Sequence, residues 1–366
     1  MPLIREIINV LETAAPLQLQ ESYDNSGLAC GNPLQECTGA LVALDLTQDV
    51  IEEAIHNNSN LIITHHPPIF KGLRQLTAGD AVAELIIRCI SHGISVYACH
   101  TNLDNVLHGV NGEIASRLGL QQIKVLQPLA GTHRQLVVFV PQNNVDAVKN
   151  ALFAAGAGAV GHYDECSFAT PGTGTFRPLA GSNPFSGEMN TRNHEQEMRL
   201  EVIYPLHLEK SILQALHAAH PYETVAYSLL AMENKFNEIG AGVIGNLPEP
   251  LAIHPFLEMV KTVFHTGVIR YAAGHQTHIQ RVALCGGSGK SLINKALGMG
   301  ADIFLTADLG YHDFFIPNGQ MFLADMGHFE SEQYTSDLIL RLITEKIPTF
   351  DVLKAGSNTN PVNYFL

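Results

Sequence analysis

LIITHHPPIF, residues 61–70, runs four apolar or β-branched residues straight into two adjacent histidines, and two prolines then stop the chain. Such a run reads as a buried strand. Proline cannot continue a helix interior and lacks a ladder N–H, so the doublet is left at the strand's carboxyl end. In open α/β sheets, ligands gather at that end. Taken alone, the pair also suits two imidazoles satisfied by backbone groups. The rest of the chain decides between the two.

Short apolar strands alternate with helical patterns on both sides of this stretch. ALVALD, LIITHH and SVYACH are expected strands, with helices near 48–57 and 80–92. After about residue 240, GVIGNL, VIRYAA, RVALCGG, DIFLTAD and MFLADM repeat the pattern, ending in a helix from 329 to about 346. This alternation predicts one three-layer α/β domain, built from residues 1–131 and 237–366, its sheet covered on both faces. Residues 132–236 follow another grammar. RQLVVFVP, a helix over NVDAVKNALFAAGA, a strand near 159–168, the loop TPGTGTFRPLAGSNPFSGEMN, MRLEVIYP, a second helix and TVAYSLLAME give β-α-β-β-α-β. That is the ferredoxin-like order, an α+β domain inserted into the first.

Composition narrows the function classes. The 366 residues are 46% hydrophobic and 15% charged, enough for sizeable cores. A net charge of -14 without basic runs argues against nucleic-acid or anionic-membrane partners. No apolar run reaches transmembrane length, and the amino-terminal helix does not read as a secretory signal. Six cysteines standing singly suit reduced thiols and a cytoplasmic location. Histidine is abundant, at 18 against 21 lysines and arginines.

The expected strand ends collect ligand-type residues. They are His65 and His66; His100, Asp104 and Asn105; Asp308, with His312 and Asp313 beyond; and Asp325, His328 and Glu332. His328 and Glu332, four apart, share a helix face. Imidazoles mixed with carboxylates suit zinc, manganese, iron or nickel. These residue types fit a metal site better than a hydrogen-bonded polar network, and leave both open. His100 and Asp325 also suit partners that fix ligand tautomers. His56, His92, His162, His217 and His254 read as surface or satisfied interior groups. CGGSGKS, residues 285–291, ends like a phosphate-binding loop, but Leu284 stands where its first glycine belongs. It reads as a tight strand-to-helix turn, with Ser288 and Lys290 as substrate candidates near a helix start.

ESYDNSGL, ITHHPPIF, HTNLD, GGSGKS, ADIFLTAD and DMGHFESE, in this order, resemble the Nif-three-like proteins, known in bacteria as GTP cyclohydrolase I type 2 homologues. YDECSF, GTGTFRPL, NPFSGE and HPYETVAY resemble the PII/CutA-like insert of longer members. Tyr23 stands where tryptophan is usual, and Ala307 where glycine generally precedes the acid. The resemblance implies two divalent ions per chain held by His65, His66, Asp104, His328 and Glu332. It also implies a homohexameric ring, a trimer of dimers with interior metals. A metal-dependent hydrolase acting on a nucleotide or related small molecule is then expected, since paired ions activate water and polarise the bond attacked. The alternative is a non-catalytic metal-binding or regulatory ring.

Overall fold

The structure, a computed structural model, describes residues 1–365. It divides into two compact units. One comprises Met1–Pro128 and the chain from Asn237 onward, and the other is Leu129–Phe236.

The first unit holds two sheets where the sequence suggests one. In the first sheet, Val352–Lys354, Ala40–Ala43, Leu61–Thr64 and Ser95–Ala98 run parallel, and Gly27–Cys30 adds an antiparallel edge. The second places Ile303–Ala307 parallel to both Phe322–Asp325 and His278–Ser288. Arg270–Ala272, Gly240–Ala252 and Gln121–Pro128 extend it antiparallel. The chain halves are thus exchanged at the edges. The carboxyl-terminal strand 352–354 joins the amino-terminal sheet, and strand 121–128 joins the other.

Burial on both faces explains the unbroken apolar runs. Side chains alternate across a strand. Val42, Ile63 and Tyr97 therefore face a core that also contains Ile4, Ile114, Phe256, Val282, Ile303 and Leu338. Leu41, Ile62 and Val96 face a second core with Val50, Ile51 and Ile86. Ala283, Phe304 and Leu323 face a third. Each fully buried aliphatic here contributes about 1.5–3 kcal/mol of transfer free energy.

The helix expected over 329–346 is two, His328–Glu332 and Thr335–Lys346. At the break, the Gln333 amide donates to the Phe264 carbonyl and the Tyr334 hydroxyl to the Val263 carbonyl, at 2.7 and 2.6 Å. Those are terminal carbonyls of helix Ile253–Phe264, which need outside donors.

The second unit has the order strand His133–Pro141, helix Val145–Ala154, strands Ser167–Phe176 and Asn193–Pro205, helix Glu209–Ala219 and strand Tyr227–Ala231. Its four strands form one antiparallel sheet, with His133–Pro141 between Asn193–Pro205 and Tyr227–Ala231. Both helices cover one face, where Val148, Leu152, Ile212 and Leu216 meet Leu136, Val138, Leu200 and Tyr204. The second strand lies later than the expected 159–168, so the first seven residues of the expected loop are strand. Ten consecutive pairs with the long neighbouring strand, Ser167↔Val202 to Phe176↔Asn193, override the glycine and proline content. Gly174 leaves room there for the Glu197 carboxylate, which a Cβ would approach to 2.1 Å and displace. No helix among the described residues is long and apolar enough to cross a membrane.

Candidate metal centre

His65 and His66 follow strand Leu61–Thr64. Their amides bond to carbonyls of the neighbouring strand's end, His65 to Ala43 and Leu44 and His66 to Leu44. His65 is fully buried, and its Nδ1 faces the Cys99 carbonyl at 2.8 Å. His66 Nδ1 meets Asp45 Oδ1 at 2.7 Å, His100 Nδ1 meets Asp24 Oδ1 at 2.7 Å, and His328 Nδ1 meets Asp308 Oδ2 at 2.8 Å. Every Nδ1 of these four rings therefore has an oxygen partner that accepts its proton. This tautomer leaves each Nε2 as a free ligand atom.

These atoms converge. His65, His66 and His100 form one tight group of potential donors, and His66, His328 and Glu332 form another. Glu332 reaches toward both sides. Its Oε2 lies 3.0 Å from both His66 Nε2 and His328 Nε2, and its Oε1 lies 3.8 Å from His65 Nε2. Asp104 Oδ1 is 3.7 Å from His65 Nε2, outside the tighter groups.

Two features test whether a cation suits this donor set. His65 Nε2 and Asp104 Oδ1 face each other as buried polar atoms, both without a hydrogen-bond partner. Such orphans cost about 1–3 kcal/mol each unless something meets them. The Nε2 atoms of His66 and His328 are only 3.3 Å apart and crowd the same carboxylate oxygen. With both Nδ1 protons committed to carboxylates, this crowding needs extra protons or a metal cation between them. Divalent metal meets both conditions with the nitrogen and oxygen ligands it prefers.

The electrostatics agree. Burial disfavours a charged His66, but hydrogen bonds to Asp45 and Glu332 outweigh it and push its pKa up to about 9. Burial likewise opposes a charged His328, and Asp308 with Glu332 raise it to about 11. Burial lifts the Asp104 carboxyl, and the Glu332 charge adds to that rise. Glu332 is held well below the usual carboxylate range: burial raises it, but the three histidines prevail. The site thus stores protons where it would hold cations.

Glycine makes room. Gly287 has φ +56°, and a Cβ there would sit 2.3 Å from Glu332 Oε1 and 3.2 Å from His328 Nε2. Its N–H donates to Ser331 Oγ at 3.0 Å. The turn that resembles a phosphate loop in sequence instead cradles the Glu332 carboxylate.

Two cavities flank the centre. One of about 460 Å³ is lined by His66, Asp308, His328, Arg270, Phe329 and Tyr364, among others. The other, about 250 Å³, is lined by Asp104, Glu332, Tyr23, Glu21, Asn105 and Ser288. Asn105 is buried and donates to the Leu19 carbonyl and Glu21. Asp325 pairs with Arg270 and accepts from the Leu309 and Gly327 amides, so it fixes the loop around Asp308 and remains off the donor cluster. His312 is exposed, packs beside Tyr311 and Phe315, and also stands apart. Lys290 is exposed and lies outside both cavity linings among the described residues. Sequence reasoning missed Asp24, Asp45 and Gly287. Asp45 closes the run ALVALD and was open to the same strand-end rule; only the fold shows that Asp24 reaches His100.

The family Duf34/NIF3 (NGG1p interacting factor 3) matches residues 2–361. A GTP cyclohydrolase 1 type 2 homolog of Halalkalibacterium halodurans is 34% identical over 366 residues, 98% of each chain. A Bacillus subtilis protein of the same name is 34% identical over 369 residues, again 98% of each. The solved structure of a Bacillus cereus protein related to NIF3 is similar at TM-score 0.86 and 34% identity, over 100% of this chain and 99% of that one. The chain belongs to the Duf34/NIF3 family.

Proposed function

We propose that this chain binds two divalent metal ions and hydrolyses a nucleotide or related small molecule beside them. The reading is carried by the facing orphans, His65 Nε2 and Asp104 Oδ1, with the two-sided Glu332 carboxylate between the histidines. His65, Asp104 and Glu332 Oε1 are assigned to one ion, and His66, His328 and Glu332 Oε2 to the other. The donors fit zinc, manganese, iron or nickel. Ions so held supply Lewis acidity and lower the pKa of water. The chain's own groups do the positioning. Asp45, Asp308 and the Cys99 carbonyl fix three imidazole rings through Nδ1, and Asp24 fixes His100 as a fourth ring beside them.

For substrate, the relatives' name points toward a nucleotide, and the larger cavity supports that class. Phe329 and Tyr364 offer aromatic surface there, and Arg270, although paired with Asp325, keeps its side chain 58% exposed. Acids line both cavities, Glu21, Asp104 and Glu332 the smaller and Asp45, Asp308, Asp325 and Glu330 the larger. The preference for the larger one therefore rests on its volume and aromatic surface. Two further parts of the reading rest on family resemblance: a homohexameric ring, and a PII/CutA-like character for the inserted β-α-β-β-α-β unit.

The test is turnover by metal-loaded protein across nucleotides and phosphoesters, with and without chelator. Hydrolysis abolished by chelator and in His66→Ala supports the reading. Two bound ions with no turnover of any substrate would contradict its catalytic half and leave a metal-binding protein.

A further inference from the structure

We propose that the inserted unit carries its own small-molecule site, for a planar aromatic molecule bearing an anionic group. It is independent of the metal reading. GTGTFRP and NPFS, from a strand end and the loop that follows it, meet PYET, which lies beyond the next strand and helix, around a cavity of about 780 Å³. That volume lies within the range of about 300–1,000 Å³ typical of small-molecule sites.

Its lining is specific. Phe176 and Phe185 flank Tyr222, with ring centroids 6.4 and 6.1 Å away. The Tyr222 hydroxyl donates to Glu197 at 2.8 Å, which fixes that ring. Phe185 stays 54% exposed although it belongs to this cluster, so an aromatic face is left for a guest. Arg177 also lines the cavity and has no carboxylate partner among the described residues. An aromatic face beside an unpaired guanidinium matches a flat ring carrying a carboxylate or phosphate. Glu197 and Glu223 add acceptors for ring N–H groups.

The covering segment is built to stay in place. Residues 177–192 contain no strand or helix, and loops of this length are uncommon in compact domains unless functional. This one is fastened at several points. The Asn183 amide donates to the Glu223 carboxylate at 3.0 Å, Ser186 Oγ to Glu195 at 2.6 Å, and the Asn190 amide to the Pro178 carbonyl at 2.9 Å. A fastened loop costs little ordering entropy when a ligand arrives.

Calorimetric titration of the full chain with guanosine monophosphate, guanosine and inorganic phosphate tests this. The monophosphate carries ring N–H donors, a flat ring and an anion together. It should bind saturably, and each fragment should bind at least about tenfold more weakly. Arg177→Ala and Phe185→Ala alter exposed side chains and should each weaken the monophosphate about tenfold, with unchanged melting. His66→Ala should leave that affinity unchanged. Absence of saturable binding up to millimolar monophosphate would overturn the proposal. So would equal affinity for phosphate alone, or loss in His66→Ala without loss in Arg177→Ala.

Discussion

Metal uptake should expel protons, and the structure sets how many and over which pH range. In the metal-free chain His66 has a pKa of about 9 and His328 of about 11, against 6.5 for free imidazole. Both rings are therefore cationic at pH 7.5. An ion taken by His66, His328 and Glu332 needs both Nε2 lone pairs, so it displaces about two protons. Its apparent affinity should rise about a hundredfold per pH unit between pH 6.5 and 8.5. The same shift governs stability without metal. The fold favours the protonated form of His66, so its contribution is whole below about pH 6.5 and is lost as pH rises through about 9. At about 1.4 kcal/mol per pKa unit, this group, only 23% exposed, supplies about 3 kcal/mol at low pH. Titration calorimetry in buffers of different ionisation enthalpy counts the protons, and denaturant melts of chelated protein follow the stability. A pH-independent affinity with no proton release would refute the reasoning, because the cationic imidazoles would then not occupy the metal position.

Further outcomes follow from single contacts. Asp45→Asn keeps a group beside His66 Nδ1 but weakens its hold, so metal affinity should fall about 10–100-fold while the ion count at saturation stays intact. Gly287→Ala drives a Cβ into Glu332 Oε1 at a positive φ; metal titration should show at least a tenfold weaker site, and an unaltered site would argue against the cradle. Joining residue 128 to residue 237 should give a folded, metal-binding protein, since Pro128 and Gly240 are antiparallel partners and a short turn can link them. Circular dichroism and metal analysis check it; a well-folded product unable to bind metal would show that the insert completes the site.

Much of this architecture was legible because both faces of the central strands are buried, which leaves unbroken apolar runs such as IIT and IFLT. Their boundaries set the positions of His65, His66, Asp308 and His328. The division into two sheets was not legible. It depends on which edge strands 121–128 and 352–354 join, and periodicity carries no pairing information. The strand Ser167–Phe176 was hidden because its conformation comes from a partner, and its own residues read as a turn. Among the site residues, those that face the ligand position share a recognisable chemistry. Of the acids that hold rings from behind, Asp45 closes a strand and could have been read with the other strand ends, whereas Asp24 has no such signal until the fold brings it to His100. The glycine turn was legible as a tight strand-to-helix turn, but not that its missing side chain at Gly287 admits a carboxylate from within the protein.

The central claim is that this chain is built around two divalent ions sharing Glu332, and metal analysis after stripping, reloading and dialysis tests it most directly. The wild-type chain should retain about two ions, as in paired-metal sites. Glu332→Ala should lose most of both, whereas His328→Ala should keep about one. Less than about half an ion in the wild type, or full occupancy in Glu332→Ala, would contradict the claim.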